Sequence, residues 1–227
     1  MIPIMLQTND TDLAQTWLDE TLARFDASND DLVLKTRSLL NHVVADSAQH
    51  ARMVNTLSML EHMGSHKIMS TQHAAGIDQA TLKHVAEEAH HAYFMKRQAE
   101  KLAERPLEYV PEDLLAPSAA RMYFQRLEAV IVREIGQRAP RAAYLYMSMI
   151  VEFRALWFYR LYQQTLQRAR HSLSLKRVLG EEQNHLSDMA ERLDHTGGLD
   201  PVHAEAFLSC ERKLFTRLLG ALQLAAA

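Results

Sequence analysis

Two Glu-x-x-His units, Glu88 to His91 and Glu182 to His185, are the residues of this chain best suited to chemistry. Each is preceded by a second glutamate, Glu87 and Glu181. The copies align without a gap, Val85 to His91 beside Leu179 to His185, and the match extends to Met95 and Met189. On a helix, positions i and i+3 share a face, with Cβ atoms about 5–6 Å apart. One carboxylate and one imidazole from each unit can therefore meet at a point. Two such units facing each other, with a further carboxylate from each of two other helices, can hold a pair of metal ions. A lone Glu-x-x-His means little in a chain with 12 histidines. Two aligned copies are more specific, and their helical faces are apolar. Leu175, Val178, Leu179, Leu186, Met189 and Leu193 accompany the second copy; Val85, Ala92, Met95 and Ala99 accompany the first, with His84 one turn earlier. A carboxylate on an inward face is costly unless paired or bound to metal.

Each unit needs a carboxylate from the helix before it. In the second half that residue is Glu152, the sole acid between Arg141 and Arg170, on a face with Leu145, Ser148, Met149, Ala155, Leu156 and Tyr159. Arg154 and Arg160 do not stand at i+3 or i+4, so an ordinary surface pair is a poor explanation. In the first half, Asp46 aligns with Glu152 if the stretch 64–76 is an inserted loop. An aspartate reaches less far, so His50 or Gln49 can substitute or assist; a polar residue in a wet channel is the alternative. Tyr159, two turns beyond Glu152, is either a redox or hydrogen-bonding group near the site or core packing with its hydroxyl satisfied.

The elements that must carry these residues are all helical. Seven glycines and six prolines punctuate 227 residues otherwise rich in helix formers. Asn9 to Asp12 starts a helix ending near Ala27, and Ser28 to Asp31 caps a long one running to Met63 and stopped by Gly64. Further helices are expected over 77–104, 118–138, 141–167, 172–196 and 201–222, with three prolines marking an extended crossover at 106–117. The chain thus reads as one domain, 1–227. Its core spans 29–196 as two helical hairpins joined by the long 105–140 connection, flanked by helices 10–27 and 201–222. The last helix can serve as lid, brace or contact surface.

This pattern resembles the di-iron carboxylate branch of the ferritin-like superfamily, which includes ribonucleotide reductase small subunits and bacterial multicomponent monooxygenases. The resemblance covers the core, 29–196, and not the terminal helices. It implies a ferritin-like four-helix bundle with six metal ligands in the order acid, Glu-x-x-His, Glu, Glu-x-x-His: Asp46, Glu88, His91, Glu152, Glu182 and His185. An aspartate in the first place is similar to the reductase variant. The acid preceding each unit often holds a ligand histidine in that family, a role that would fall to Glu87 and Glu181. A histidine ligand needs its other ring N–H accepted to fix tautomer and orientation. His50 and His84 are further supporting candidates behind the ligands. The chain is much shorter than the reductase or monooxygenase subunits and lacks rubredoxin-like cysteine pairs. Its length and the stretch around Glu152 loosely resemble small aldehyde-deformylating oxygenases.

Carboxylate and imidazole together suit iron or manganese better than magnesium or calcium. The expected cofactors are two Fe ions, or an Mn/Fe pair. The expected function is an oxygenase or oxidase that reduces O2 and oxidises a small, largely apolar organic substrate, served by an electron-donor protein. The polar residues His42, Gln49, His50 and His84 suggest entry from the first hairpin. An iron-binding or ferroxidase protein is one alternative; a metal-free helical interaction protein is another. The formal net charge of −3 disfavours nucleic acid as a partner. Cys210, the lone cysteine, excludes an intramolecular disulfide. The first residues lack the pattern of a secretory signal, and the apolar run 142–151 is too short for a bilayer. A cytoplasmic homodimer is the expectation.

Overall fold

The computed structural model describes residues 10–71, 77–136 and 138–227, and among them every regular element is helical. The start of the first helix at Asn9 and the end of the 64–76 stretch lie outside those residues. The helices are α1 (Asp10–Ser28), α2 (Asp30–Ala45), α3 (Ser47–Thr71), α4 (Gln79–Ala103), α5 (Pro117–Ile131), α6 (Pro140–Arg168), α7 (Lys176–His195) and α8 (Pro201–Ala226). A short 3-10 turn, Pro111–Asp113, lies in the crossover, and a π-helical turn, Val132–Gly136, joins α5 towards α6. No described helix is long and apolar enough to cross a membrane.

Helix α6 is the centre of the molecule. Its sequence is apolar on nearly every side, and most residues from Ala143 to Leu166 are buried, as expected of a helix covered over most of its circumference. Helices α3 and α4 form one hairpin and α6 and α7 the other. Helices α1, α2, α5 and α8 pack round them. Caps fix the starts: Asp78 accepts from the Thr81 N–H at 2.8 Å to begin α4, and Asp200 accepts from Val202 N–H at 2.8 Å to begin α8.

The stretch expected as one helix from 29 to 63 is two. The chain leaves helical geometry at Asp46 (φ −120°, ψ 112°). The Asp46 carboxylate then accepts from the backbone N–H groups of Ala48 and Gln49, at 2.8 and 3.0 Å, and so caps α3. Gly64 does not end the helix either; α3 runs on to Thr71. Gly64 faces α4, where an added Cβ would stand 3.5 Å from Glu88 Oε2, so the missing side chain leaves room beside a buried carboxylate.

Candidate metal centre

Helices α3, α4, α6 and α7 each aim acidic or imidazole side chains at one buried region. Glu61 comes from α3; His84, Glu88 and His91 from α4; Glu152 from α6; Glu182 and His185 from α7. All seven are buried. Two groups have ligand atoms within 4.8 Å of one another, namely His84, Glu88, Glu152 and His185, and Glu61, Glu88 and His91. Glu88 belongs to both. Glu182 joins them, one oxygen lying 3.3 Å from His91 Nδ1 and the other 3.1 Å from His185 Nδ1.

The remaining separations are alike. His84 Nε2 lies 3.4 Å from Glu88 Oε1 and 3.5 Å from Glu152 Oε1. His185 Nδ1 lies 3.4 Å from Glu88 Oε1 and 3.7 Å from Glu152 Oε1. Two atoms each about 2.1 Å from one metal ion are about 3.0 Å apart at a right angle and about 4.2 Å when opposite. The observed spacings fall inside that range. Four of the inward atoms, His84 Nε2, Glu88 Oε1, His91 Nδ1 and Glu182 Oε1, are buried without any hydrogen-bond partner. Buried polar atoms are seldom left so, and these four face each other.

The outer nitrogens are all anchored. Glu181 on α7 reaches across to His91 Nε2 at 2.9 Å, and Glu87 on α4 reaches back to His185 Nε2 at 3.0 Å. The two antiparallel helices thus exchange supports, each Glu-Glu-x-x-His unit holding the histidine of the other. Arg177 steadies Glu181 at 2.9 Å and Lys83 lies 3.7 Å from Glu87. His84 is turned the other way round: its Nδ1 meets the Tyr144 hydroxyl at 3.1 Å and its Nε2 points inward. With the outer nitrogens satisfied, each ring can present an inward lone pair.

The electrostatics are those of a closely packed acid–base cluster. Burial pulls the imidazoles down, but the facing carboxylates more than offset it. Glu152 and Glu88 hold His84 at about 11, Glu182 with Glu61 and Glu88 holds His91 at about 10, and Glu152 and Glu182 hold His185 at about 12. Burial and then the Glu152 charge raise Glu182 to about 7. Glu61 goes well above its ordinary value through burial and the charges of Glu88 and Glu182. Glu152 goes the other way, because His185 and His84 outweigh its burial.

Five of the six residues expected to bind metal therefore come together, and Asp46 does not. It is an exposed cap at the start of α3, and Glu61 from the same helix stands in the cluster instead. His50 is also elsewhere: it is buried against the Tyr162 hydroxyl and His171. His42 is exposed and bonds to the Ala226 carbonyl at 2.9 Å. His84 stands inside the cluster rather than behind it. Tyr159 is at the edge of the site, its hydroxyl donating to Glu61. Two signals could have located the missed positions. His84-x-x-x-Glu88-x-x-His91 puts all three on one helical face, and Glu61 precedes Glu88 by nearly the spacing that separates Glu152 from Glu182.

Beside the cluster lies a cavity of about 390 Å³ between α3, α5, α6 and α8. Glu61, His84, Glu88 and Glu152 form part of its wall, and most of the rest is apolar, including Leu60, Phe124, Ala155, Phe158, Phe215 and Leu222. Lys67 and Glu128, paired with each other, line it among its more exposed residues. The chain matches no family model, no curated protein and no solved structure.

Proposed function

We propose that the cluster holds two redox-active metal ions, iron or a manganese/iron pair, and that the protein is an oxygenase or oxidase acting on a small, largely apolar organic substrate. The observation that carries this reading is the convergence of seven buried Glu and His side chains at metal-ligand spacing, four of whose inward atoms make no hydrogen bond. Formal charge supports it. The carboxylates of Glu61, Glu88, Glu152 and Glu182 would balance two divalent ions, with the imidazoles neutral. A buried site without net charge avoids most of the cost of burying ions.

On this reading His84, Glu152 and His185 would help hold one ion and Glu61 and His91 the other, and Glu88 and Glu182 would supply the remaining carboxylates. The two hairpins, α3–α4 and α6–α7, joined across α5, then correspond to a ferritin-like bundle. A third imidazole would distinguish this centre from the six-residue pattern. When bound, such a metal pair supplies two-electron reduction of O2, fed by an electron-donor protein. The chain's own contribution is orientation and exclusion of water. Glu87, Glu181 and Tyr144 fix the imidazoles, and the cavity gives an apolar molecule a place against the carboxylate wall. The cavity favours an organic substrate over iron storage, which has no use for it.

The test is metal content per chain after anaerobic Fe(II) loading, in the wild type and in Glu88→Ala/Glu182→Ala. About two irons in the wild type, lost in the variant, with a change of colour on admitting O2, is the expected result. No stoichiometric iron in either protein would end the oxygenase reading. The cluster would then be a set of imidazolium–carboxylate pairs.

A further inference from the structure

A buried pair of titratable side chains, His50 and Tyr162, lies outside the cluster. His50 on α3 is 1 % exposed, and its Nε2 meets the hydroxyl of Tyr162 on α6, which is fully buried. Burial, assisted by neighbouring His171, pulls His50 down to about 4, so the ring is neutral at ordinary pH. Burial likewise pushes the Tyr162 phenol up. A neutral imidazole nitrogen against a phenol is positioned to take its proton. Apolar packing at this spot would not need either group, and burying them carries a desolvation cost.

The pair is part of a line of rings. Tyr162 touches Phe158 with centroids 6.3 Å apart, and Phe158 touches Tyr159 at 6.2 Å. The Tyr159 hydroxyl donates to Glu61, so the line begins at the cluster. In the other direction His50 lies 5.8 Å from Tyr162 and 4.8 Å, edge-on, from His171. His171 is partly exposed in the α6–α7 connection. Electron transfer weakens steeply with distance, and rings in contact replace one long step by several short ones.

We propose that Tyr162, with His50 as its proton acceptor, is a one-electron station between the cluster and the surface at His171, used when the metal centre is left oxidised with no substrate to attack. The proposal rests on the di-metal reading. One electron leaves Tyr162 for the oxidised centre through Phe158 and Tyr159. The phenolic proton passes to His50 Nε2, leaving a neutral tyrosyl radical beside an imidazolium. A one-electron reductant at His171 returns the electron, and His50 returns the proton. The centre is reduced by one electron, the external donor is oxidised by one, and the Tyr162–His50 pair is restored.

The experiment uses iron-loaded full-length protein, with iron content measured first. It is mixed with O2 without substrate, freeze-quenched for electron paramagnetic resonance, and chased with ascorbate as the one-electron donor. A tyrosyl signal is expected in the wild type, absent in Tyr162→Phe. In His50→Gln it should form more slowly by roughly a hundredfold, the lower end of what a positioned base contributes. Intact-mass analysis should show Tyr162→Phe gaining oxygen atoms over repeated O2 cycles while the wild type with ascorbate does not. If iron binds and O2 is consumed, but Tyr162→Phe gives the same signal and the same mass as wild type, the relay is wrong and the pair is a packing contact. If no iron binds, the di-metal reading falls first and takes the relay with it. Because Tyr162→Phe removes only a hydroxyl, its thermal unfolding is measured alongside, and His50→Gln tests the same step if Tyr162→Phe is unstable.

Discussion

An imidazole surrounded by carboxylates keeps its proton long after one in water has lost it, and this makes the cluster sensitive to pH in a definite direction. His84, His91 and His185 are held at about 11, 10 and 12, against about 6.5 in an unfolded chain. Their contribution to stability is complete below about pH 6.5, declines as pH rises beyond it, and is gone above the folded values. Glu182, raised to about 7, adds to the fall between its unfolded value and that pH. The metal-free protein should therefore lose stability steadily on the alkaline side, read as a falling denaturant midpoint from about pH 6.5 upward. On the di-metal reading, metal would replace these protons. At about pH 8, where Glu182 is already mostly ionised, loading should release roughly four per chain, three from the imidazoles and one from Glu61, and affinity should rise with pH. Indicator dye in weak buffer would count them. A midpoint that stays flat to pH 10, or loading with no proton release, would show that the histidines are neutral before metal arrives.

Helix boundaries decided which acid of the first hairpin reached the cluster. Asp46 and Glu61 both lie in or beside α3, but one caps it and the other faces inward. Asp46→Ala should cost about 1 kcal/mol through the lost cap and leave iron stoichiometry unchanged. Glu61→Ala should lower iron binding while leaving the fold in place, measured by circular dichroism and metal analysis of both variants. Equal metal loss in the two would contradict the assignment. The Glu-x-x-His pairs and Glu152 were legible because helical periodicity converts spacing into a shared face without knowledge of packing. Glu61 was not, because Gly64 resembles a helix stop. In the folded chain Gly64 is an interior residue whose missing Cβ faces Glu88 across the hairpin, a tertiary reason invisible to local pattern. The break at Asp46 was similarly hidden, since nothing in the run from Asp30 to Met63 interrupts its helix-forming character except the cap itself. Once α3 is shifted to begin at Ser47, Glu61 stands opposite Glu88, and the two hairpins present acid and Glu-x-x-His alike.

At the scale of the whole molecule, a buried ion pair ties α6 to α8, two of the helices that line the cavity. Arg154 on α6 donates to Glu211 on α8 through Nε at 2.9 Å and Nη2 at 2.8 Å, and to Asn29, between α1 and α2, at 2.8 Å. Tyr123 on α5 donates to the same carboxylate at 2.8 Å. The guanidinium also stacks over Phe215, 4.0 Å from the ring centre. This gives α8 a role as brace and wall, since Phe215, Leu218 and Leu222 line the cavity from the same helix. Glu211 is 0 % exposed and Arg154 4 %, so removing one charge strands the other where water cannot reach. Glu211→Ala should cost about 3–5 kcal/mol in urea denaturation, whereas Arg154→Met/Glu211→Leu should recover much of that loss, because an apolar pair leaves no stranded charge. Helices α3, α4 and α7, which carry most of the cluster, take no part in the pair, so folded Glu211→Ala should still bind the wild-type amount of iron. A loss under 1 kcal/mol for the single change would mean that water enters the wall and solvates Arg154. The cavity beside the cluster would then be wetter than its apolar lining implies, and poorly suited to the substrate proposed for it.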